Sequence, residues 1–347
     1  MSEYSSYTVI EPDLRLSFEK KRLEAFLSSN GLRYEHLDYV AEIVDEADEE
    51  EHILACGGYE GNTIECVAVS PELRGEGLMD KIVSHLERRL LGRQIEKIRV
   101  FTKPENLSLF ESEGFTLISR GDKAIFLEHG RPDANDYSAS LAKYRREGKN
   151  GCIVMNANPF TLGHRYLVEK ASKEVDNLYI FVVEEDRSVF PYKVRKRLVE
   201  EGTADIPNVT VLDGGPYIIS NSTFPSYFLK EYSDKTKTHA QIDLGIFAKY
   251  VAPPLGITVR FAGSEENDEV TRVYNETMKE VLPFDVRVIP RKESDGRQIS
   301  ASFVRKKAAE GDLAALKNTV PESTYSFLCS DEGKTIVSKL KDQVPKQ

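Results

Sequence analysis

After residue 150 short apolar segments alternate with segments of helical periodicity. Apolar runs at 152–155, 178–183, 209–212, 259–262 and 286–289 are strand candidates. Helical spacing at 162–175 and 193–201 separates the first three. Strands buried on both faces and joined through helices form a parallel, doubly wound α/β sheet of the Rossmann-like type. Ligands of such sheets lie beyond the carboxyl ends of the strands. The strand-to-helix turns are therefore where chemistry is expected.

The preceding half has a different pattern. Short apolar runs at 53–56 and 64–69, separated by Gly57, Gly58 and Gly61, predict an antiparallel pair with a tight connection. Ile82, Leu86 and Leu90 place one apolar stripe on a helix over 79–91, and 98–101 and 124–127 read as further strands. These features predict a mixed α/β domain over 1–130, a polar linker over 131–150, the doubly wound domain over 151–330 and a tail over 331–347 formed by a terminal helix and a frayed end.

Charge and cysteine usage narrow the function classes. Across 347 residues, 47 Lys and Arg against 57 Asp and Glu leave a net charge of −10, which argues against a surface that coats nucleic acid. Four scattered cysteines and no CxxC pair give neither a disulfide scaffold nor a structural zinc site, and predict a reducing, cytoplasmic setting. No apolar run approaches the roughly 20 residues that span a bilayer, so no membrane partner is expected. The acidic run 45–51, the Lys20–Lys21–Arg22 cluster and the basic stretch 193–197 read as solvated surfaces, although Arg195 or Arg197 could point at phosphate. His36, His52, His85, His129 and His239 have no neighbours at ligand spacing and are assigned no chemistry.

The turn after the first strand of the second domain carries Asn156, Ala157, Asn158, Pro159, Phe160, Thr161, Leu162, Gly163 and His164. Pro159 stops the strand and Thr161 is a good N-cap, so a helix is expected from Leu162 with its free N–H groups outward. Those donors and the helix dipole make an anion site. Gly163 would let a bulky ligand approach, and His164 can donate to phosphate oxygens. Near the end of the sheet Ile299, Ser300, Ser302 and Arg305 form a second helix start, with two hydroxyls and a guanidinium suited to a triphosphate tail.

Thr161-x-Gly163-His164 together with Ile299-Ser300-x-Ser302-x-x-Arg305 resembles the TxGH and ISxSxxR signatures of the nucleotidylyltransferase superfamily. Asn158 stands where that superfamily often has an acidic residue. Segments 184–192, 217–230, 261–265 and 270–275 extend the likeness from about 151 to 305 and resemble the citrate lyase ligase family. The resemblance implies ATP and Mg²⁺, catalytic roles for His164, Thr161 and Arg305, and a nucleotide site that adds Asn156, Ala157, Phe160, Gly163, Gly263, Arg272, Asn275, Ile299, Ser300 and Ser302. No metal-ligating residue is assigned. In the first domain, Val67, Val69, Arg74, Gly75 and Gly77 resemble the coenzyme-A loop of the GNAT acetyltransferase fold, and 106–115 its later helix and strand. Two positions depart from that fold: Met79 replaces a small residue, and Phe110 replaces a tyrosine general acid and cannot donate a proton.

The combined resemblance implies an enzyme that joins acetate to a thiol. Acetate would attack the α-phosphorus of ATP to give acetyl-AMP and pyrophosphate. A phosphopantetheine-type thiol on the citrate lyase acyl carrier subunit would then take the acetyl group and release AMP. An adenylyltransferase acting on a phosphorylated vitamin precursor is the competing enzyme class. A nucleotide-sensing adaptor is the non-enzymatic one.

Overall fold

The computed structural model of the chain describes residues 7–45, 52–184, 188–221, 223–229, 233–264, 268–290, 293–294 and 297–343. Most of the acidic run (46–51), Glu185, Asp186, Arg187, Ser222, Lys230 and Glu265 lie outside the described residues. The chain divides into two compact units, 1–137 with 225–242, and 138–224 with 243–347.

The first unit is built on a seven-stranded sheet. Its elements are β1 (Tyr7–Ile10), α1 (Ser17–Ser29), β2 (Tyr39–Asp45), β3 (Ala55–Glu60), β4 (Thr63–Val69), α2 (Leu78–Gly92), β5 (Ile98–Thr102), α3 (Leu107–Ser112), β6 (Thr116–Arg120) and β7 (Ile125–His129). The strand order is β1-β2-β3-β4-β5-β7-β6, antiparallel except between β4 and β5. The stripe foreseen on α2 is the core contact: Ile82, Leu86 and Leu90 are fully buried against Tyr39, Tyr59, Ile64 and Val100. The expected hairpin forms, but β3 runs through Gly57 and Gly58 to Glu60 and the turn is only Gly61–Asn62. A Cβ on Gly58 would lie 2.4 Å from the Tyr39 carbonyl, so glycine is required there by a close backbone approach within the sheet. Arg22 also departs from expectation. It donates to Glu42, which is wholly buried, and is no solvated face.

α4 (Ala134–Leu141) occupies the region expected to be a linker. The second unit then contains β8 (Asn150–Met155), α5 (Leu162–Ser172), β9 (Asn177–Val182), α6 (Tyr192–Thr203) and β10 (Val209–Asp213). It continues, after α7 (Ser233–Ile246), with α8 (Ala252–Leu255), β11 (Ile257–Gly263), α9 (Glu269–Val281), β12 (Asp285–Ile289), a short ladder of β13 (Glu293–Ser294) with β14 (Arg297–Gln298), α10 (Ala301–Glu310), α11 (Glu322–Cys329) and α12 (Asp331–Gln343).

The five parallel strands run in the order β10-β9-β8-β11-β12. The order reverses between β8 and β11, which fixes the crevice at their carboxyl ends as the ligand position. Alternate residues serve the two faces. Ile153, Ile180 and Val259 pack into the cluster under α5, α6 and α10. Phe181 and Arg260 meet Phe247 on the other face. There Arg260 donates to the Tyr274 hydroxyl, which donates to Asp243.

Two expected boundaries shift for physical reasons. The tail is part of the core, because Ile336 and Val337 of α12 are buried with Phe327 and Leu328. Residues 225–242 belong to the first unit although 224 and 243 belong to the second. Ser226 bonds Glu35, Tyr227 bonds Phe101, and Ser119 donates to the Ile242 carbonyl.

Candidate active site

Thr161 caps α5 as the sequence predicts, and the cap is reciprocal. Its hydroxyl accepts from the His164 amide at 3.3 Å, while His164 Nδ1 accepts from the Thr161 amide at 3.1 Å. With Nδ1 acting as acceptor, the proton of the neutral ring sits on Nε2. The ring is stacked on Phe160 at 5.8 Å. Phe160 itself is fully buried in the core beside Gly202, and its ring fixes the imidazole plane. Ala157 is likewise buried, with φ +49°.

Ser300 caps α10 by accepting from the Phe303 amide. The two helix starts interlock. A Cβ on Gly163 would meet the Ile299 carbonyl at 2.9 Å, so the space expected for a ligand is taken by the chain's own backbone. Arg305 donates to the Asn158 carbonyl at 2.6 Å and to the Ser302 hydroxyl at 3.2 Å, and burial lowers its pKa. Two sets of outward N–H groups thus converge on one edge of the sheet. Gly163→Ala is expected to push these helix starts apart and raise the KM for ATP on the order of tenfold. Thermal unfolding and ATP titration of the variant would check this, and an unchanged KM would contradict the close fit.

The other site residues from the sequence are dispersed. Gly263 ends β11 beside the switch point with open space where a Cβ would sit, and Asn275 donates to its carbonyl. The Asn275 amide therefore holds α9 on β11. Arg272 is half-exposed and paired with Glu269 and Glu276. Asn158 spends its side chain on the Phe190 amide.

Sequence reasoning misplaced Arg195. It is fully buried and donates to the carbonyls of Asn156, Val183 and Phe190 and to the Asn156 side chain. It shares one helical stripe with Leu198, Val199 and Gly202, and that spacing was the available signal. Arg197 pairs with Glu332 at 2.8 Å.

In the first unit Val67, Val69, Arg74, Gly75 and Gly77 line one cavity of about 500 Å³. Gly75 and Gly77 have φ of +92° and +75°, a conformation that only glycine adopts freely, and α2 begins immediately after them. Phe110 lines the same cavity and packs edge-on against Phe115.

The two units define a class: a mixed α/β domain with a glycine turn at the mouth of a cavity, followed by a doubly wound α/β domain with two helix starts converging at its switch point. Residues 7–115 match the acetyltransferase (GNAT) family, and residues 150–328 match the citrate lyase ligase C-terminal domain. The chain is 40% identical over 333 residues to a [citrate [pro-3S]-lyase] ligase of Klebsiella pneumoniae, covering 92% of this chain and 96% of that one. It is 42% identical over 327 residues to that of Escherichia coli, covering 91% and 92%, and 39% identical over 328 residues to that of Haemophilus influenzae, covering 90% and 97%. The chain belongs to the citrate lyase ligase family, and is a ligase. Among the described residues no helix is long and apolar enough to cross a membrane.

Proposed function

We propose that the second domain activates acetate with ATP and that the first holds the thiol that receives the acetyl group. A carboxylate does not acylate a thiol in water, because oxide is a very poor leaving group. Attack of an acetate oxygen on the α-phosphorus breaks the bond to the bridging oxygen, releases pyrophosphate and leaves acetyl-AMP. The thiol sulfur then attacks the acetyl carbonyl, gives up its proton and expels AMP, which carries away one oxygen of the original acetate. The observation that carries this reading is the interlocking of the two helix starts through Gly163, Ile299, Asn158 and Arg305.

Negative charge gathers on the phosphates during displacement. His164 Nε2–H, Arg305, the Ser302 hydroxyl and the two sets of backbone donors are the groups this chain supplies to stabilise it. Among the described residues no three His, Cys, Asp or Glu side chains group as a metal site. A magnesium ion carried by the triphosphate oxygens would supply further charge neutralisation beside those donors. The acceptor is the phosphopantetheine-type thiol of the citrate lyase acyl carrier subunit, docked in the cavity beside Arg74, Gly75 and Gly77. Gly75→Glu with Gly77→Glu is expected to weaken binding of that subunit, and unchanged affinity would remove the docking role.

Acetate-dependent exchange of labelled pyrophosphate into ATP tests the activation step without any carrier subunit. Exchange that requires acetate supports acyl adenylation. Failure to exchange would shift the assignment to an adenylyltransferase whose product keeps AMP.

A further inference from the structure

β4 and β5 are parallel neighbours that pair at only two positions, Thr63 with Arg99 and Ile64 with Val100. Beyond them the strands separate. At the point of separation β4 is bulged, and Cys66 is turned to φ +57°. Backbone groups facing such a gap need partners. One side chain reaches into it: the Tyr227 hydroxyl donates to the Phe101 carbonyl of β5 at 2.8 Å. Tyr227 is buried, and burial pushes its phenol well above the ordinary range, so the hydroxyl keeps its proton. Its position is fixed from behind, where the Arg33 amide donates to its carbonyl at 2.9 Å and Glu35 accepts from the Ser226 hydroxyl.

Tyr227 and Phe228 also line the cavity that begins at Arg74 and Gly77. The glycine turn is exposed and the two aromatic residues are buried, so they form the inner end of the cavity and the turn forms its mouth. Phe228 stands edge-on to Tyr227 at 5.0 Å, closing that end with apolar surface. A ligand with its phosphates at the mouth would extend along Val67 and Val69 and bring its far end against Tyr227.

We infer that Tyr227 sets which form of a pantetheine-type thiol the cavity accepts: the free thiol, and not its acetyl thioester. This rests on the docking role given above to the first domain. An acetyl group added at the inner end would have to enter the space between β4 and β5 that the Tyr227 ring fills. The Tyr227 hydroxyl proton is already committed to Phe101 and cannot be offered to a thioester carbonyl. The acceptor is thereby held before reaction and the product is released after it.

Calorimetric titration of the full chain with dephospho-coenzyme A and with its acetyl thioester tests the inference. The free thiol is expected to bind at least about tenfold more tightly. Tyr227→Ala should bring the two affinities within about twofold by admitting the acetyl group, while Tyr227→Phe, which keeps the ring, should retain most of the preference. Equal wild-type affinities would overturn the inference, as would a preference that survives Tyr227→Ala. If Tyr227→Ala does not fold, Tyr227→Val carries the same comparison. Binding of neither probe by the wild-type chain would instead overturn the docking role itself, so the two failures are distinguishable.

Discussion

His164→Ala is expected to slow acetate-dependent pyrophosphate exchange by about 10²–10³-fold, the usual cost of removing one donor aimed at charge that develops in displacement. The ring has two separable tasks. Nδ1 closes the reciprocal cap with Thr161, and the ring proton is left on Nε2. Alanine removes both, so part of its effect would be a weakened helix start costing on the order of 1 kcal/mol. His164→Gln separates them, because glutamine at the third helical position can also close a cap of this kind. The expected result for His164→Gln is a melting temperature within about 2 °C of wild type and an exchange rate still lowered by at least tenfold. Full activity in the glutamine variant would reduce His164 to a capping residue and remove it from the chemistry.

What was legible in the sequence was local. The Thr161 and Ser300 caps depend on residues three apart, and the α2 stripe depends on one helix's own spacing, so both could be read without knowing the fold. The reversal of strand order between β8 and β11 followed from the alternation of strands and helices only as a class, and the structure supplies the actual order. Glycines were the ambiguous letters. Gly163 and Gly58 each signal close approach, but the sequence does not say whether a ligand, the Ile299 carbonyl or the Tyr39 carbonyl does the approaching. Least legible was the 225–229 strap. Its partners Arg33, Glu35 and Phe101 are more than 120 positions away, and nothing in its own composition points to a gap between β4 and β5. The role of the Phe160 ring was hidden for a related reason: the resemblance implies only a place in the nucleotide site, and it takes the fold to show the ring packed in the core and stacked on His164.

Arg195→Met should cost about 3–5 kcal/mol of stability, because it deletes the buried donor shared by several backbone and amide oxygens and leaves those acceptors unpaired. The guanidinium of Arg195 is wholly buried. Nε donates to the Phe190 carbonyl, and one terminal nitrogen serves the Val183 carbonyl and both oxygens of Asn156 at 2.7–2.8 Å. Asn156 follows β8 and Val183 follows β9, so a single side chain on α6 ties together the loops leaving two adjacent strands at the ligand-binding edge. Methionine fills the volume of the stem and supplies no donor, and three carbonyls lose their partner in a region closed to water. In a unit of this size the loss corresponds to a fall in melting temperature on the order of 10 °C. Arg195→Lys keeps the charge but cannot fork among several acceptors. It should fall between the wild type and methionine in stability, with the KM for ATP raised because Asn156 is no longer held. A guanidinium acting as a direct phosphate ligand would give the opposite pattern, with ATP binding lost and melting temperature almost unchanged. Thermal unfolding of both variants beside their ATP titration separates the two roles, and an unaltered melting temperature in Arg195→Met would end the positioning argument.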